Sequence, residues 1–240
     1  MIKTLGLIPA RGGSSEVKGK NKKLLADRPL ISYTIEEALK STRLNRVILS
    51  TDSEEIRKIG LQEGVEAPFL RPKKLATNET LSLPVIIHCL RYLEKNNYEP
   101  DAVLYMQPTS PFRTVKHIDE SIDLFEKNNV DSVTSVAPVI QHPLFMYRKA
   151  DDGTLVEYIN MDKKPERRQD LPELWEIDNN ISISKTSYLY EAEKRGAHPL
   201  NNKNFAPYFI EGVSTIDINT ELDFQIAEFM MKLKLKGNLE

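Results

Sequence analysis

Residues 7–21 read "LIPARGGSSEVKGKN", and what this loop holds decides how the rest of the chain is understood. It follows the short apolar run "TLGLI" (4–8), so it begins where a strand ends. Gly12, Gly13 and Gly19 loosen its backbone, and Arg11, Lys18 and Lys20 give it positive charge. That combination suits phosphate. Two well-known phosphate loops nevertheless fail on spacing. A P-loop needs four residues between its glycines and a Ser or Thr after the lysine. Here five residues separate Gly13 from Gly19, and Asn21 follows Lys20. The dinucleotide pattern G-x-G-x-x-G is also absent. At this point the loop is either a phosphate cradle of another construction or a solvated turn.

Outward from the loop, short apolar runs alternate with longer helical patterns. "RVILST" (46–51), "DAVLYM" (101–106) and "DSVTSVAPV" read as buried strands. Between them, Ile31, Ile35 and Ala38 fall at helix spacing, "SEEIRKIGLQEG" is a helix closed by Gly64, and Ile86, Cys89, Leu90 and Leu93 form one stripe. Pro84 is tolerated in that helix's first turn. Ile118, Ile122 and Phe125 mark a further helix. The alternation implies an α/β fold with a mostly parallel sheet and helices on both faces. Ligands bind such sheets beyond the C-terminal ends of the strands. The opening loop, "STDS" (50–53) and "QPTSPFR" (107–113) all lie there.

From 140 to 180 the pattern changes. "FMYRKADDGTLVEY" reads as a hairpin around Asp151, Asp152 and Gly153, and "NMDKKPERRQDLPELWEIDNN" is polar and irregular. An excursion of this length without its own core is expected to be an arm packed on a second subunit; the bland alternative is a surface loop. "NISISK" and "VSTIDI" read as later strands, and "TELDFQIAEFMMKLKLK" as a closing amphipathic helix, with Thr220 and Asp223 making a capping box. The whole chain of 240 residues is expected to be one domain, with 140–180 as its arm.

Composition narrows the partners. Apolar residues make up 40%, enough for a core, and the formal net charge of −2 argues against a nucleic-acid partner. Cys89 is the only cysteine, so neither an intrachain disulfide nor a cysteine-built zinc site can form. The N-terminal apolar stretch is too short for a signal peptide or a membrane span, so a cytoplasmic location is expected. His88, His117, His142 and His198 are scattered, with no Ser-His-Asp pattern.

The segments "IPARGGS", "PLISYTIEEAL", "RVILSTDSEEI", "FLRPKKLAT", "LYMQPTSPFRT" and "STIDINTELDFQIAEF", taken in order from residue 2 to about 232, resemble the acylneuraminate cytidylyltransferases. The resemblance implies a Rossmann-like nucleotidyltransferase fold, a homodimer and a Mg²⁺-dependent reaction of CTP with a 2-keto sugar acid. It places Ala10, Arg11, Gly12 and Gly13 around the nucleotide, Arg11 and Lys20 on the triphosphate, and Asn21, Arg71 and Ser82 on the ribose and cytosine. It gives Gln107 to the sugar acid and Arg168 to substrate charge. Asp217 is given to the metal, with Asn219 as an uncharged oxygen donor beside it.

The chain departs from the family pattern at charged positions. Ser15 replaces a lysine, Phe145 stands where lysine is common, Asp178 and Asn180 replace an arginine and a glycine, and Asn219 replaces the second carboxylate. Two expectations follow: an active enzyme for an altered sugar acid, such as a legionaminic or pseudaminic acid, or a nucleotide-binding relative with little transferase activity and a regulatory or assembly role.

Overall fold

The computed structural model describes residues 2–161, 165 and 167–238, without the side chain of Arg168. β1 (Thr4–Pro9) leads through the glycine-bearing loop to a small antiparallel hairpin, β2 (Leu24–Leu25) and β3 (Arg28–Pro29), and then to α1 (Leu30–Lys40). β4 (Arg46–Ser50), α2 (Glu54–Gln62), α3 (Ser82–Glu94), β5 (Ala102–Tyr105), α4 (Val115–Asn128) and β6 (Ser132–Pro138) follow. The chain then leaves the sheet for a second hairpin, β7 (Tyr147–Lys149) and β8 (Leu155–Glu157). It returns as β9 (Trp175–Lys185) and ends with α5 (Thr186–Arg195), β10 (Phe205–Phe209) and α6 (Glu221–Leu235).

The main sheet has the order β10-β6-β9-β5-β1-β4. β4, β1 and β5 pair in parallel, as do β6 and β10, while β9 runs antiparallel between β5 and β6. The expected mostly parallel α/β sheet is therefore present. Side chains alternate across it. Leu5 and Leu7 of β1 pack with Ile86, Leu90 and Leu93 of α3 and Leu189 of α5 on one face. Ile8 joins Ile31 and Ile35 of α1 with Ile118 and Ile122 of α4 on the other. Each such buried side chain contributes about 1.5–3 kcal/mol relative to exposure. A third cluster closes one end: Phe224, Ala227 and Met231 of α6 cover Val17, Leu25 and Leu30. The helix stands on the capping box foreseen for it, since Thr220 Oγ1 accepts from the Asp223 amide and Asp223 accepts from Thr220. Among the described residues no helix is long and apolar enough to cross a membrane.

Three local expectations need correction. "VSTIDI" is not a strand: Gly212–Thr215 is a 3-10 turn. Beyond it the Ile218 amide donates to Thr109 O at 2.9 Å, across to the loop after β5 rather than into a ladder. The missing strand is β10, disguised by Pro207, which an edge strand tolerates because one side of it makes no ladder bonds. "WEIDNN" is not part of the irregular arm: Trp175 to Asn180 form the first half of β9. Its polarity reflects a bulge. Thr134 pairs with Ser182 but Val136 pairs with Ile177, so Ser135 alone faces residues 178–181. The hairpin around Gly153 is present, with Gly153 at φ 86° and Ala150 N donating to Thr154 O at 2.8 Å.

Candidate active site

The opening loop is a turn shaped by its own polar groups. Ala10 is fully buried and its amide continues the β1 ladder to Ser50 O at 2.9 Å. The Gly12 amide donates to Asp52 Oδ1 at 2.8 Å, and a Cβ at Gly12 would sit 2.9 Å from the Ser53 Cβ, so only glycine fits this approach to the N-terminus of α2. Gly13 meets no such wall. Gly19 adopts φ 65°, the left-handed turn that precedes Lys20. Buried Asn21 donates to Arg11 O at 2.9 Å, and Ser14 Oγ accepts from the Lys20 amide at 3.0 Å. The loop is thus fixed from within, not merely solvated.

It forms one wall of a cleft of about 260 Å³ at the C-terminal edge of the parallel strands. Arg11, Lys20, Asn21, Arg71, Gln107 and Asn219 all line it. Arg11 Nη1 reaches Asn78 Oδ1 at 2.5 Å. Lys20 Nζ donates to Ile218 O at 2.6 Å, and burial pulls its pKa down against the opposing charge of Asp217. Arg71 is only 5% exposed, and its Nε and Nη2 have no partner among the described residues. Burial lowers its pKa too. Tyr105, at the end of β5, lines the same cleft, with its phenol pushed up to about 12 by burial. Neither Tyr105 nor Asp52 stood out in the sequence, although both lie at C-terminal strand ends, where position alone could have marked them.

Asn219 also lines a second cleft of about 570 Å³, bounded by Pro138, the first half of β9 and residues 211–219. Asp178 and Asp217 face it. Asp217 and Asn219 do meet, although not on a strand: Asn219 Nδ2 donates to Asp217 Oδ2 at 3.0 Å. Asp217 Oδ1 is buried without a partner among the described residues. Asp178 Oδ1 accepts from the Asn180 amide at 2.6 Å and from Ser135 Oγ at 3.2 Å, and burial raises its pKa. Among the described residues no group of three or more His, Cys, Asp or Glu side chains could hold a metal ion.

Other expected residues fall elsewhere. Ser82 opens α3 and lines a larger, more apolar groove of about 770 Å³ between α3 and α5, where Leu83, Ile87 and Pro199 also lie. That groove is larger than either cleft, yet it lies away from the glycine loop. Arg168 begins a 3-10 turn, and its side chain lies outside the described residues. Ser15 is exposed, and Phe145 closes a short 3-10 turn beside His142. The histidines have structural partners. His117, His142 and His198 each accept a backbone amide through Nδ1, and His88 packs edge-on against Phe69.

A glycine-bearing loop, three cationic side chains and a cleft at the C-terminal edge of a mostly parallel sheet define a nucleotide-binding α/β protein. Residues 5–212 match the family model described as Cytidylyltransferase, and the chain belongs to that family. It is 32% identical over 239 residues to the CMP-N,N′-diacetyllegionaminic acid synthase of Legionella pneumophila, covering 97% of each chain. It is 31% identical to the N-acylneuraminate cytidylyltransferase of Escherichia coli, matching 99% of this chain but 54% of that one. The fold matches a CMP:2-keto-3-deoxy-manno-octonic acid synthetase solved with CTP, at TM-score 0.72, 13% identity, and coverage of 97% of this chain and 99% of that one.

Proposed function

We propose that this cytidylyltransferase joins CTP to a nonulosonic 2-keto sugar acid, giving the CMP-sugar and pyrophosphate. The observation that carries the reading is the meeting of two clefts at Asn219: one cationic and walled by Arg11, Ser14, Lys20 and Asn21 of the opening loop, the other beyond it, between β9 and residues 211–219. A nucleoside triphosphate suits the first, and a sugar acid suits the second. The anomeric hydroxyl oxygen attacks the α-phosphorus, the bond from that phosphorus to the bridging oxygen breaks, and the hydroxyl proton passes to solvent. Arg11 and Lys20 offset the charge that grows on the phosphates and on departing pyrophosphate. Asn21 and Arg71 hold the nucleoside, Gln107 meets the acid from the wall of the first cleft, where the two substrates join, and Arg168 meets substrate charge.

Asp217 fits a divalent cation, because its buried Oδ1 lacks a partner among the described residues. Mg²⁺ commonly takes one or two carboxylates and leaves its remaining positions to phosphates and water. Bound there with Asn219 alongside, Mg²⁺ would supply charge to the triphosphate. The arm supports a homodimer: Ile140, Met146, Leu155, Tyr158, Trp175 and Ile177 leave their apolar surfaces exposed around it. A CTP-consuming step belongs in the cytoplasm.

The test is pyrophosphate release with Mg²⁺ across CTP, UTP, ATP and GTP. Each nucleotide is paired with N,N′-diacetyllegionaminic, pseudaminic and N-acetylneuraminic acids. Turnover with CTP and at least one acid is expected. Silence with every pair, alongside CTP binding by calorimetry, would replace this reading with that of a non-catalytic nucleotide-binding relative.

A further inference from the structure

Among the described residues Arg113 is the largest side chain that is almost wholly buried, at 1% exposure. A guanidinium so placed normally faces a carboxylate. Here its three bonds go to neutral oxygens on three separate elements. Nε donates to Asn180 O in the β9 bulge at 2.6 Å, Nη2 to Gln107 O after β5 at 2.9 Å, and Nη1 to Thr34 Oγ1 on α1 at 3.2 Å. The bulge is held from its other side by Ser135, whose Oγ accepts from the Ile181 amide at 2.9 Å and donates to Asp178. Asn180 passes the connection onward, with Nδ2 on Ser214 O at 2.8 Å, just before Asp217.

We propose that Arg113 is the positioning residue of the acceptor side, a rigid fork that sets the spacing between Gln107 and the Asp178–Asp217 wall. It touches neither cleft. The proposal rests on reading the second cleft as the acceptor's. The reasoning is geometric. The glycine loop is braced by Asn21, Ser14 and Asp52, without Arg113. The Gln107 loop and the β9 bulge share Arg113 as a common brace. A planar fork can satisfy acceptors in three directions at fixed angles, whereas an ammonium on a flexible stem cannot. The bulge lies beside the cleft, where such irregularities commonly re-aim side chains. A misplacement of about 1 Å in a site can cost on the order of 10²-fold in rate.

Arg113→Lys keeps the charge and loses the fork. Thr34→Val removes one arm of the fork from α1, away from both clefts. Each is compared with wild type in steady-state kinetics with CTP and N,N′-diacetyllegionaminic acid, in thermal melting, and in amide hydrogen exchange. For Arg113→Lys the acid KM should rise roughly 10-fold or more and kcat should fall. KM for CTP should change less than KM for the acid, since only the Gln107 wall of the first cleft leans on Arg113 while the glycine loop has its own bracing. Exchange should quicken in 107–113 and 176–181 and stay unchanged in 10–21. Thr34→Val should move the same quantities less. Equal changes in both KM values with a uniform loss of protection would make Arg113 merely structural and overturn the proposal. Unchanged acid KM and unchanged exchange would do the same. If wild type turns over no acid, the functional reading fails by itself, and the exchange pattern still decides the positioning role. If Arg113→Lys does not fold, Thr34→Val decides it alone.

Discussion

Replacing Arg71 by methionine should make the protein more stable and a poorer nucleotide binder. The side chain is buried, and two of its guanidinium nitrogens lack partners among the described residues. An unsatisfied buried polar group costs about 1–3 kcal/mol, more when charged. Methionine fills similar space without donors, and the Arg71 amide keeps its bond to Thr51 O at 2.7 Å. Relief of one such penalty is worth ~1–3 kcal/mol, or roughly 2–4 °C per kcal/mol in Tm for a chain of this size. Arg71 also lines the cleft proposed above for the nucleotide. Losing one charge-assisted hydrogen bond costs about 1.5–3 kcal/mol, a 10- to 100-fold weaker Kd for CTP. His88 gives an internal check: burial first and the Arg71 charge second hold its pKa low, so the substitution should raise it. Ligand-free thermal melting and titration calorimetry with CTP measure the two effects. A fall in Tm of similar size would show that Arg71 already has its partners and refute the reasoning, as would an unchanged Kd.

Arg11→Ala should cut turnover roughly 10²–10³-fold, as loss of one oxyanion donor does, and change stability by less than about 1 kcal/mol; full activity would remove Arg11 from the mechanism. Asn219→Asp replaces an amide that donates to Asp217 with a second carboxylate at about the same distance, so the metal-free Tm should fall. Added Mg²⁺ should then raise Tm more than in wild type and reach half-saturation at lower concentration; equal Mg²⁺ responses would place position 219 outside the metal site. Burial pushes the Cys89 thiol up to about 12 from 9.0, so its stabilising contribution is full below pH 9 and is lost as pH rises through about 12. A thiol reagent at pH 8 should therefore label Cys89 only on unfolding, and rapid labelling of the native protein would contradict the burial. Light scattering at micromolar concentration should give wild type the proposed dimer mass and Ile177→Glu a monomer mass; a monomeric wild type would refute the dimer, and a dimeric variant would move the interface away from the arm.

Much of the fold was legible because period and punctuation agreed. Leu5, Leu7 and Ile8 sit in an apolar run ended by Pro9, and Thr220 with Asp223 marks a helix start by a local hydrogen-bond pattern. The errors arose where tertiary pairing overrode local signals. Pro207 hid an edge strand, and the polar bulge at 178–181 hid the first half of β9. The candidate site was partly legible for the same reason. Arg11, Lys20, Asn21, Arg71 and Gln107 belong to short motifs at strand ends, and the structure brings them to one cleft. Ser82 instead lines the apolar groove between α3 and α5. Arg113 stood in plain view inside "QPTSPFR", but its importance depends on Asn180 and Thr34, 67 and 79 residues away in the chain, a separation no motif records.

The antiparallel β9 also governs how the chain can fold. Before it docks, β4, β1 and β5 can pair as one parallel ribbon and β6 with β10 as another, and no ladder joins the two. Each ribbon then presents an open edge, β5 on one and β6 on the other, the kind of exposed template that invites pairing between chains. The strand that seals both edges arrives only after the long excursion through β7 and β8, so its contacts with β5 and β6 are distant in sequence and slow to form. A nascent chain halted before residue 175 would carry β4, β1, β5 and β6 but neither β9 nor β10, so β6 would have no strand on either side and β5 one bare edge, and aggregation would begin there.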